Sequence, residues 1–270
     1  MAAGLFVVRC RERNLEAIIA SAGLSVWPDA PAQPHAIKAA AELGADIAQH
    51  PARQATPELL AAADFVVCLG AGHARHIVPF ISREKIRILG GGIADPYGGD
   101  LALYRACAHQ INQSLSALLP DILCLAKIVP AEKAHLPALA ELERQCFTPP
   151  ASEAKLREKL ASNSFHGYVA QLDGEIAGFL GVDEIAGEAF VDDLAVFEPF
   201  RRKGIASALL ARAETEAILR GCEKIHIECR EGNAAALRLY QARGYAHVGH
   251  RKNYYESPRE DAILMTMEVR

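Results

Sequence analysis

The sequence predicts two α/β domains, the first with a doubly wound parallel sheet and the second with a mixed, mostly antiparallel sheet. Three observations support this prediction. The chain has 270 residues, a length more typical of two domains than of one. In the first half, short apolar runs alternate with helical patterns, as in parallel strands that are joined by helices. In the second half, a hairpin signal at Asp173-Gly174 joins two strand-like segments.

The first half is predicted to alternate strands and helices. Its strands are short apolar runs, and Thr56 followed by Pro57 is a typical helix start. Proline cannot continue a helix, so Pro120 is predicted to end the last helix and to place the boundary near Ile122, giving domains 1–121 and 122–270. The predicted strands are Leu5–Val8, Phe65–Leu69 and Lys85–Leu89, and the predicted helices are Ala36–Leu43, Thr56–Ala63 and Leu101–Leu119.

The second half is predicted to contain more strands than the first. Gly221 and Gly244 each follow a helical pattern, where a glycine commonly ends the helix. Two last strands flank a predicted loop over Tyr254–Glu260. The other strands are Leu123–Val129, Gly167–Leu172, Glu175–Val182, Glu188–Val196 and Lys224–Arg230, and the helices are Ala134–Cys146, Ser152–Ser162, Gly204–Arg220 and Asn233–Arg243.

Composition excludes several classes of protein. The net charge of −4 does not suit a nucleic-acid-binding surface, so no direct nucleic-acid ligand is expected. The seven cysteines are scattered and include no C-x-x-C pair, so we expect neither disulfides nor a metal site, and a reducing compartment fits best. No apolar run is long enough to span a membrane, and the start is not a signal peptide. A cytoplasmic protein without a membrane partner is expected.

The most informative stretch is VDDLAVFEPFRRKGIASALLARAE, in which a strand ends and a helix begins after a basic loop. A helix N-terminus offers unpaired N–H groups and the positive end of the helix dipole, so it binds phosphate readily. Gly204 and Ala206 are small enough for the backbone to approach a pyrophosphate closely. The basic residues before them, Arg201, Arg202 and Lys203, add positive charge.

The pattern R-x-x-G-x-A after a strand that ends in L-A-V resembles the acetyl-CoA motif of the GNAT acetyltransferases. The resemblance implies that acetyl-CoA is the co-substrate. It implies that backbone groups of Leu194, Ala195 and Val196 bind the pantetheine arm. It also implies that the pyrophosphate is bound by the loop residues Arg201, Arg202, Lys203, Gly204, Ile205 and Ala206.

Two later motifs are more specific. The strings IECREGNAAALRLYQARGY and RKNYYESPREDAILM resemble the RimI branch of that family, the ribosomal-protein-alanine N-acetyltransferases. The resemblance covers essentially all of residues 123 to 270. It implies direct acetyl transfer to a protein N-terminal amine, with the N-terminal alanine of a small-subunit ribosomal protein as the preferred acceptor.

The resemblance also implies roles for single residues. Glu228 takes the position of the general base, which the chemistry requires because an α-amino group is largely protonated at neutral pH. Tyr240 takes the position of the general acid that protonates the leaving CoA thiolate, and Asn233 would contact the cofactor. Tyr254 and Tyr255 are candidates for aromatic walls around a peptide N-terminus, although a loop-packing pair is an equally good interpretation. His226 should share the strand face of Glu228 as a neighbour.

The segments SAGLSVWPDAPAQPHAIKAAAELGADIAQHPARQATPELLAAADFVVCLG and DPYGGDLALYRACAHQI resemble the low-molecular-weight protein tyrosine phosphatases, including arginine phosphatases. Asp95-Pro96 resembles their general-acid motif. These enzymes need a Cys-x5-Arg loop after the first strand, because the thiolate attacks phosphorus. Counting on from Cys10 reaches Glu16 where the arginine should stand. We therefore predict an inactive phosphatase-like domain that serves as a scaffold, a dimer face or a surface for partner docking.

Three alternatives remain open at this point. The GNAT half could acetylate lysine side chains or small amines. The chain could be a phosphotyrosine or phosphoarginine phosphatase with an auxiliary GNAT domain, although the missing Cys-x5-Arg argues against this. A third interpretation is a binding module whose first half recruits a partner.

Overall fold

A computed structural model of the chain describes residues 1–27 and 29–270. The chain divides into two compact units. The first comprises Met1–Ser116 with Arg270, and the second comprises Ala117–Val269. The division falls within one long helix, between Ser116 and Ala117. Among the described residues, no helix is long and apolar enough to cross a membrane.

The first unit is an α/β structure with two parallel strands. Strand β1 pairs with β2 from Val66 opposite Ile86 to Cys68 opposite Ile88. The predicted α/β class and the parallel pairing are confirmed. The elements are α1 (Ala2–Glu12), α2 (Pro34–Ala41), α3 (Pro57–Ala62), β1 (Val66–Cys68), α4 (Ala71–Ile77), β2 (Ile86–Ile88) and the part of α5 (Leu101–Ile122) up to Ser116.

The predicted strand Leu5–Val8 is wrong, because these residues lie within helix α1. A short apolar run has no periodicity that separates a strand from a buried helix segment. Leu5 is completely buried and Cys10 is nearly so. In addition, Arg9 donates a hydrogen bond from Nε to Asn112 Oδ1 of α5 at 2.8 Å. Burial of these side chains and the bond to α5 therefore favour a helix over the extended conformation.

The predicted helix end at Pro120 is also wrong, because α5 continues to Ile122 with Pro120 inside it. A proline inside a helix costs one backbone hydrogen bond and crowds the preceding turn. Leu119 and Asp121 are almost fully buried, and Leu123 N still donates to Leu119 O at 3.0 Å. Burial of the last turn therefore outweighs the local preference of proline.

The second unit is built on a mixed sheet of seven strands in the order β3-β4-β5-β6-β7-β9-β8. Every neighbouring pair is antiparallel except β6 and β7, so the predicted mixed sheet is confirmed. The elements are β3 (Lys127–Pro130), α6 (Leu136–Cys146), α7 (Glu153–Ala161), β4 (Phe165–Leu172), β5 (Glu175–Ile185), β6 (Glu188–Val196), α8 (Ile205–Arg220), β7 (Lys224–Arg230), α9 (Ala234–Arg243), β8 (Ala246–Glu256) and β9 (Arg259–Glu268).

Helices cover both faces of this sheet. On one face, leucines of α6 and α7 form a core cluster with Phe179 of β5 and Ala195 of β6. Side chains alternate along a strand, so Gly178 faces the other side, where Ile205 of α8 lies against it. Helix α8 and the α6–α7 pair therefore enclose β4, β5 and β6 between them.

Strands β6 and β7 pair only along their first halves. The parallel register runs from Glu188 opposite Lys224 to Val191 opposite Ile227 and then stops. Strand β6 bulges at this point, because Gly181 and Val182 of β5 face Asp193 and Val191 and leave Asp192 without a partner. A bulge bends its strand and disrupts the local pairing. The two strands therefore part beyond Val191 and leave an opening in the middle of the sheet.

Candidate active site

The strand end Leu194–Val196 lies along this opening. On one side it pairs with β5, with Leu194 opposite Leu180 and Val196 opposite Gly178. On the side of β7 the register has already ended, so this edge makes no strand pairing there. A strand edge of this kind presents N–H and C=O groups in a row that an amide-bearing chain can pair with. The structure therefore offers the backbone groups that were predicted to bind pantetheine.

The basic loop leads directly into helix α8. Gly204 is the N-cap residue in a left-handed conformation with φ 79°, and no side chain caps this end of the helix. The first-turn N–H groups of a helix have no intrahelical partner, so they are free to donate hydrogen bonds to an anion when no side chain caps them. Arg202 also has a positive φ of 65°, which turns the loop sharply before the helix begins.

The three basic side chains of the loop have different surroundings. Arg201 donates from Nε to the carbonyl oxygen of Val196 at 3.1 Å, so it ties the loop back to the end of β6. Lys203 places its ammonium 5.2 Å from the centre of the Phe200 ring, in a cation–π contact. Arg202 is exposed. Thus Arg202 and Lys203 remain available to a phosphate, whereas Arg201 is engaged by the protein.

Glu228 lies on β7, in the row of partly exposed residues that alternates with buried ones. Its Oε2 accepts a hydrogen bond from Arg251 Nη1 of β8 at 2.9 Å. Hydrogen bonding to this carboxylate also raises the pKa of Tyr254. With a side chain 28% exposed, Glu228 is accessible to a substrate and is already paired with Arg251.

His226 has partners of its own. Its ring nitrogens lie 2.9 Å from Thr266 Oγ1 and 3.1 Å from Glu188 Oε2, and the ring stacks on Phe190 at 4.7 Å. As predicted, it lies on the same partly exposed face of β7 as Glu228, but its hydrogen-bond partners are Thr266 and Glu188 and not that carboxylate. The geometry makes His226 a structural neighbour.

Tyr240 lies on α9 and is buried. Burial raises its pKa above the usual value, and Cys229 and Tyr255 contribute in the same direction. Burial likewise raises the pKa of Tyr255 to about 12, with a contribution from the charge of Glu228. Tyr255 is therefore a neighbour both of Tyr240 and of Glu228. The phenol of Tyr240 therefore keeps its proton at neutral pH, as a general acid requires.

Tyr254 and Tyr255 lie at the end of strand β8, and not in a loop as predicted, because the strand extends to Glu256. Their rings meet edge to face at 5.1 Å. The guanidinium of Arg251 lies 5.3 Å from the Tyr254 ring and that of Arg230 lies 4.2 Å from the Tyr255 ring. Two arginines therefore hold the tyrosine pair beside Glu228.

Asn233 is the N-cap of α9. Its Oδ1 accepts a hydrogen bond from Ala236 N at 3.1 Å, which is the usual capping geometry. The structure thus gives Asn233 a structural role, and its predicted contact with the cofactor remains a prediction.

An acidic cluster at the bulge of β6 escaped the sequence reasoning. Asp192 and Asp193 both form ion pairs with Lys159 of α7, and the second is 3.6 Å long. Burial raises the pKa of Asp193, and the neighbouring Asp192 adds to the shift. Asp193 faces the side of α6 and α7, because its partner Gly181 lies against Phe165 of that core. The only sequence signal was the pair of adjacent aspartates in VDDLAV.

None of the cysteines that the structure describes in the first unit has an activated thiol. Cys10 lies buried in α1, and burial raises its pKa. Burial also raises the pKa of Cys68 to about 12. A nucleophilic cysteine needs a lowered pKa. Asp95, in the segment that resembles the general-acid motif, accepts a hydrogen bond from Tyr97 N at 3.0 Å.

The first unit also contains a largely apolar cavity. An open cavity of about 350 Å³ is lined by residues of α1, α3, β1 and α4, among them Phe6, Leu60 and Cys68. Helix α4 also contains two potential metal ligands, His73 and His76. Within residues 1–27 and 29–270, no three histidine, cysteine or carboxylate side chains cluster as a metal site would require.

Known proteins match both halves of the chain. Residues 1–131 match the low molecular weight phosphotyrosine protein phosphatase family, and residues 136–245 match the acetyltransferase (GNAT) family. Over 140 residues, the chain is 31% identical to the [ribosomal protein bS18]-alanine N-acetyltransferase of Escherichia coli strain K12, covering 51% of this chain and 94% of that relative. The chain belongs to the GNAT acetyltransferase family. The GNAT half is accordingly an N-acetyltransferase that uses acetyl-CoA, fused to a phosphatase-like half.

Further relatives agree with this assignment. The putative [ribosomal protein bS18]-alanine N-acetyltransferase of Bacillus subtilis strain 168 is 28% identical over 130 residues, which cover 48% of this chain and 86% of that relative. The crystal structure of the ribosomal-protein-S18-alanine N-acetyltransferase from Escherichia coli matches with a TM-score of 0.50 and 30% identity, covering 54% of this chain and 94% of that one. Ard1 from Thermoplasma volcanium shares the fold, with a TM-score of 0.50, 23% identity and coverage of 54% and 98%.

Proposed function

We propose that the GNAT half transfers the acetyl group of acetyl-CoA to a protein N-terminal amine, with the N-terminal alanine of a small-subunit ribosomal protein as the preferred acceptor. The observation that carries the proposal is the position of Glu228, a partly exposed carboxylate on β7 beside Tyr254 and Tyr255. The relative from Escherichia coli, which is named for this reaction on protein bS18, supports the choice of acceptor.

Acetyl-CoA fits the opening between β6 and β7. The backbone of Leu194, Ala195 and Val196 presents an unpaired edge to the pantetheine arm. The uncapped first turn of α8, at Gly204, Ile205 and Ala206, receives the pyrophosphate. Arg202 and Lys203 contribute charge from the loop, whereas Arg201 fixes the loop to the strand end through the Val196 carbonyl.

The chemistry needs one proton acceptor and one proton donor. Glu228 takes the proton that the amine nitrogen loses as it attacks the thioester carbonyl carbon, directly or through a water. The new N–C bond forms and the C–S bond breaks when the tetrahedral intermediate collapses. Tyr240, which keeps its proton at neutral pH, protonates the departing thiolate sulfur. No covalent intermediate with the enzyme is required.

The proposed acceptor site is aromatic. Tyr254 and Tyr255 contact each other edge to face and lie beside Glu228. Rigid aromatic rings give contact area at low entropic cost.

The test measures CoA release and product mass with basic peptides that carry N-terminal alanine, other N-termini, or a blocked N-terminus with a free lysine. Glu228→Gln should lose about 10²- to 10⁴-fold in kcat. Glu231→Gln is the matched control, because Glu231 is exposed and close in sequence. Equal reaction of the blocked lysine peptide would reject the proposed acceptor in favour of lysine side chains. Reaction of no peptide, with acetyl-CoA still bound, would favour a small amine.

A further inference from the structure

Arg251 is the cation that the protein itself supplies to Glu228. Its guanidinium donates to Glu228 Oε2 at 2.9 Å and lies over the ring of Tyr254, whose pKa the same carboxylate raises. The carboxylate therefore has a positive partner before any acceptor amine arrives. Nothing in the proposed chemistry so far explains this partner.

A distortion of strand β8 holds Arg251 in this position. Arg251 pairs with Ala262 and Tyr255 pairs with Glu260, so three residues of β8 stand opposite the single residue Asp261 of β9. Asn253, in the middle of this bulge, has a φ of 52°, and its N–H donates to Asp261 Oδ1 at 2.7 Å. The bulge is thus fixed by its own hydrogen bond, and it brings Arg251 and Tyr254 to the same carboxylate.

The other charged groups around Glu228 have partners elsewhere. On β7, His226 bonds to Glu188, and Arg230 bonds to Glu260 of β9. On β8, Tyr254 and Tyr255 are neutral phenols with raised pKa values. On β6, beyond the last pair with β7, Asp192 and Asp193 are paired with Lys159. On α9 the neighbour is the neutral phenol of Tyr240.

We propose that Arg251 keeps the acceptor amine in its uncharged, nucleophilic form. The inference rests on the proposed function, in which a primary amine binds at Glu228. An α-amino group has a pKa of about 8, so it reaches the site mostly as an ammonium ion. An ammonium ion paired with a lone carboxylate would be bound well but could not attack a thioester. A guanidinium already on that carboxylate disfavours a second cation beside it, so the bound amine loses its proton to solvent.

The amine nitrogen loses one proton to solvent before the reaction and another when the N–C bond forms. Glu228 then remains free to accept this second proton. In this scheme Arg251 touches Glu228 and not the reacting atoms, so it is a positioning residue. Removing its charge should let Glu228 hold the ammonium ion. The peptide would bind more tightly and react more slowly, a combination that a merely structural change does not produce.

The experiment compares Arg251→Met with Lys252→Met, an exposed residue of the same strand that loses the same charge. The rate of acetyl transfer is measured against peptide concentration from pH 6 to pH 9. For Arg251→Met we expect KM and kcat both to fall about tenfold near pH 7, and the acid limb of the kcat profile to move up by about one pH unit. Arg251→Lys should restore the wild-type profile, and Lys252→Met should keep it.

Several outcomes would overturn the inference. A raised KM with an unmoved acid limb would show that Arg251 binds the peptide directly. Unchanged kinetics would show that the ion pair has no role in catalysis. Unchanged affinity for acetyl-CoA confirms that each variant is folded. The series uses whichever amine of the panel the wild-type protein acetylates fastest, so a wrong choice of acceptor under the proposed function does not affect this test.

Discussion

The carbonyl oxygen of Pro120 occupies the space that a β-carbon on Gly204 would need. Gly204 also has a φ of 79°, a conformation that glycine adopts without strain. Two independent constraints, one steric and one conformational, therefore require glycine at the N-cap of α8. The proline inside α5 thus acts on the loop proposed to bind pyrophosphate.

Replacing Gly204 by alanine should weaken acetyl-CoA binding about tenfold, because the loop must shift to make room for the β-carbon. The matched control is Gly174→Ala in the β4–β5 turn, where φ is 85° and nothing lies within 4 Å of the new carbon. Both changes carry the conformational cost of about 1 kcal/mol, but only the first meets a clash. Calorimetric titration with acetyl-CoA distinguishes them. Equal affinities in the two variants would contradict the role given to Gly204.

Replacing Tyr240 by phenylalanine should lower kcat about a hundredfold and leave the affinity for acetyl-CoA unchanged, because the change removes only a phenolic proton donor. Tyr245→Phe is the control, since Tyr245 is also buried and its ring lies 6.0 Å from that of Tyr240. Steady-state rates with the best acceptor peptide measure the effect. A Tyr240→Phe enzyme with wild-type kcat would exclude this residue as the general acid.

A buried ion pair joins α8 to α9. Arg243 donates from Nε to Glu214 Oε1 at 2.9 Å and from Nη1 to Ser207 Oγ at 3.3 Å, and both charged side chains are almost fully buried. Arg243→Met alone should cost about 3–5 kcal/mol in the free energy of unfolding, because it leaves the Glu214 carboxylate buried without a partner.

The double variant Glu214→Met/Arg243→Met should recover most of this loss, because an apolar pair of similar volume removes both buried charges. Urea unfolding of the full chain, followed by circular dichroism, measures both variants. If the double variant were as unstable as the single one, the loss would come from packing and not from the unpaired charge.

The stability of the protein should depend on Asp193. Burial raises its pKa to about 8 from a usual value of 3.8, so between these values the folded chain binds a proton that the unfolded chain has released. The proton that the folded chain binds at Asp193 therefore stabilises it. This stabilisation is fully present below about pH 4 and is lost as the pH rises through about 8. Asp193→Asn removes the titrating group.

Between pH 5 and pH 8, we therefore expect the free energy of unfolding of Asp193→Asn to fall less than that of the wild-type protein. The difference between the two decreases should be of the order of 1 kcal/mol or more. Asp173→Asn is the control, since it removes a carboxylate that is exposed in the β4–β5 turn. Melting temperatures across this pH range measure the difference. Parallel curves for Asp193→Asn and the wild-type protein would contradict the raised pKa.

Local signals predicted the caps correctly. Thr56 accepts a hydrogen bond from the backbone N–H of Leu59, and Gly221 and Gly244 end their helices with φ near 100°. These features depend on a few neighbouring residues, so the sequence contains all that decides them. Strands β6 and β7 are likewise confirmed, and the sequence of each is either rich in apolar residues or alternates between apolar and polar residues.

The errors have one physical cause. The segment Leu5–Val8 forms a helix and α5 passes Pro120, and in both cases buried contacts with distant residues outweigh local preference. Tyr254 and Tyr255 extend a strand, because β8 continues its pairing with β9 to Glu256 opposite Arg259. No local pattern encodes such contacts.

The sequence by itself determined the two-domain α/β organisation, the basic loop before α8, and the positions of Glu228 and Tyr240 on a strand and a helix. Only the tertiary structure decided that β6 and β7 separate after Val191, that Arg201 is engaged by Val196, and that Arg251 pairs with Glu228. The first set depends on spacing along the chain. The second depends on strand bulges and on charges that meet across strands, which arise only when the sheet has formed.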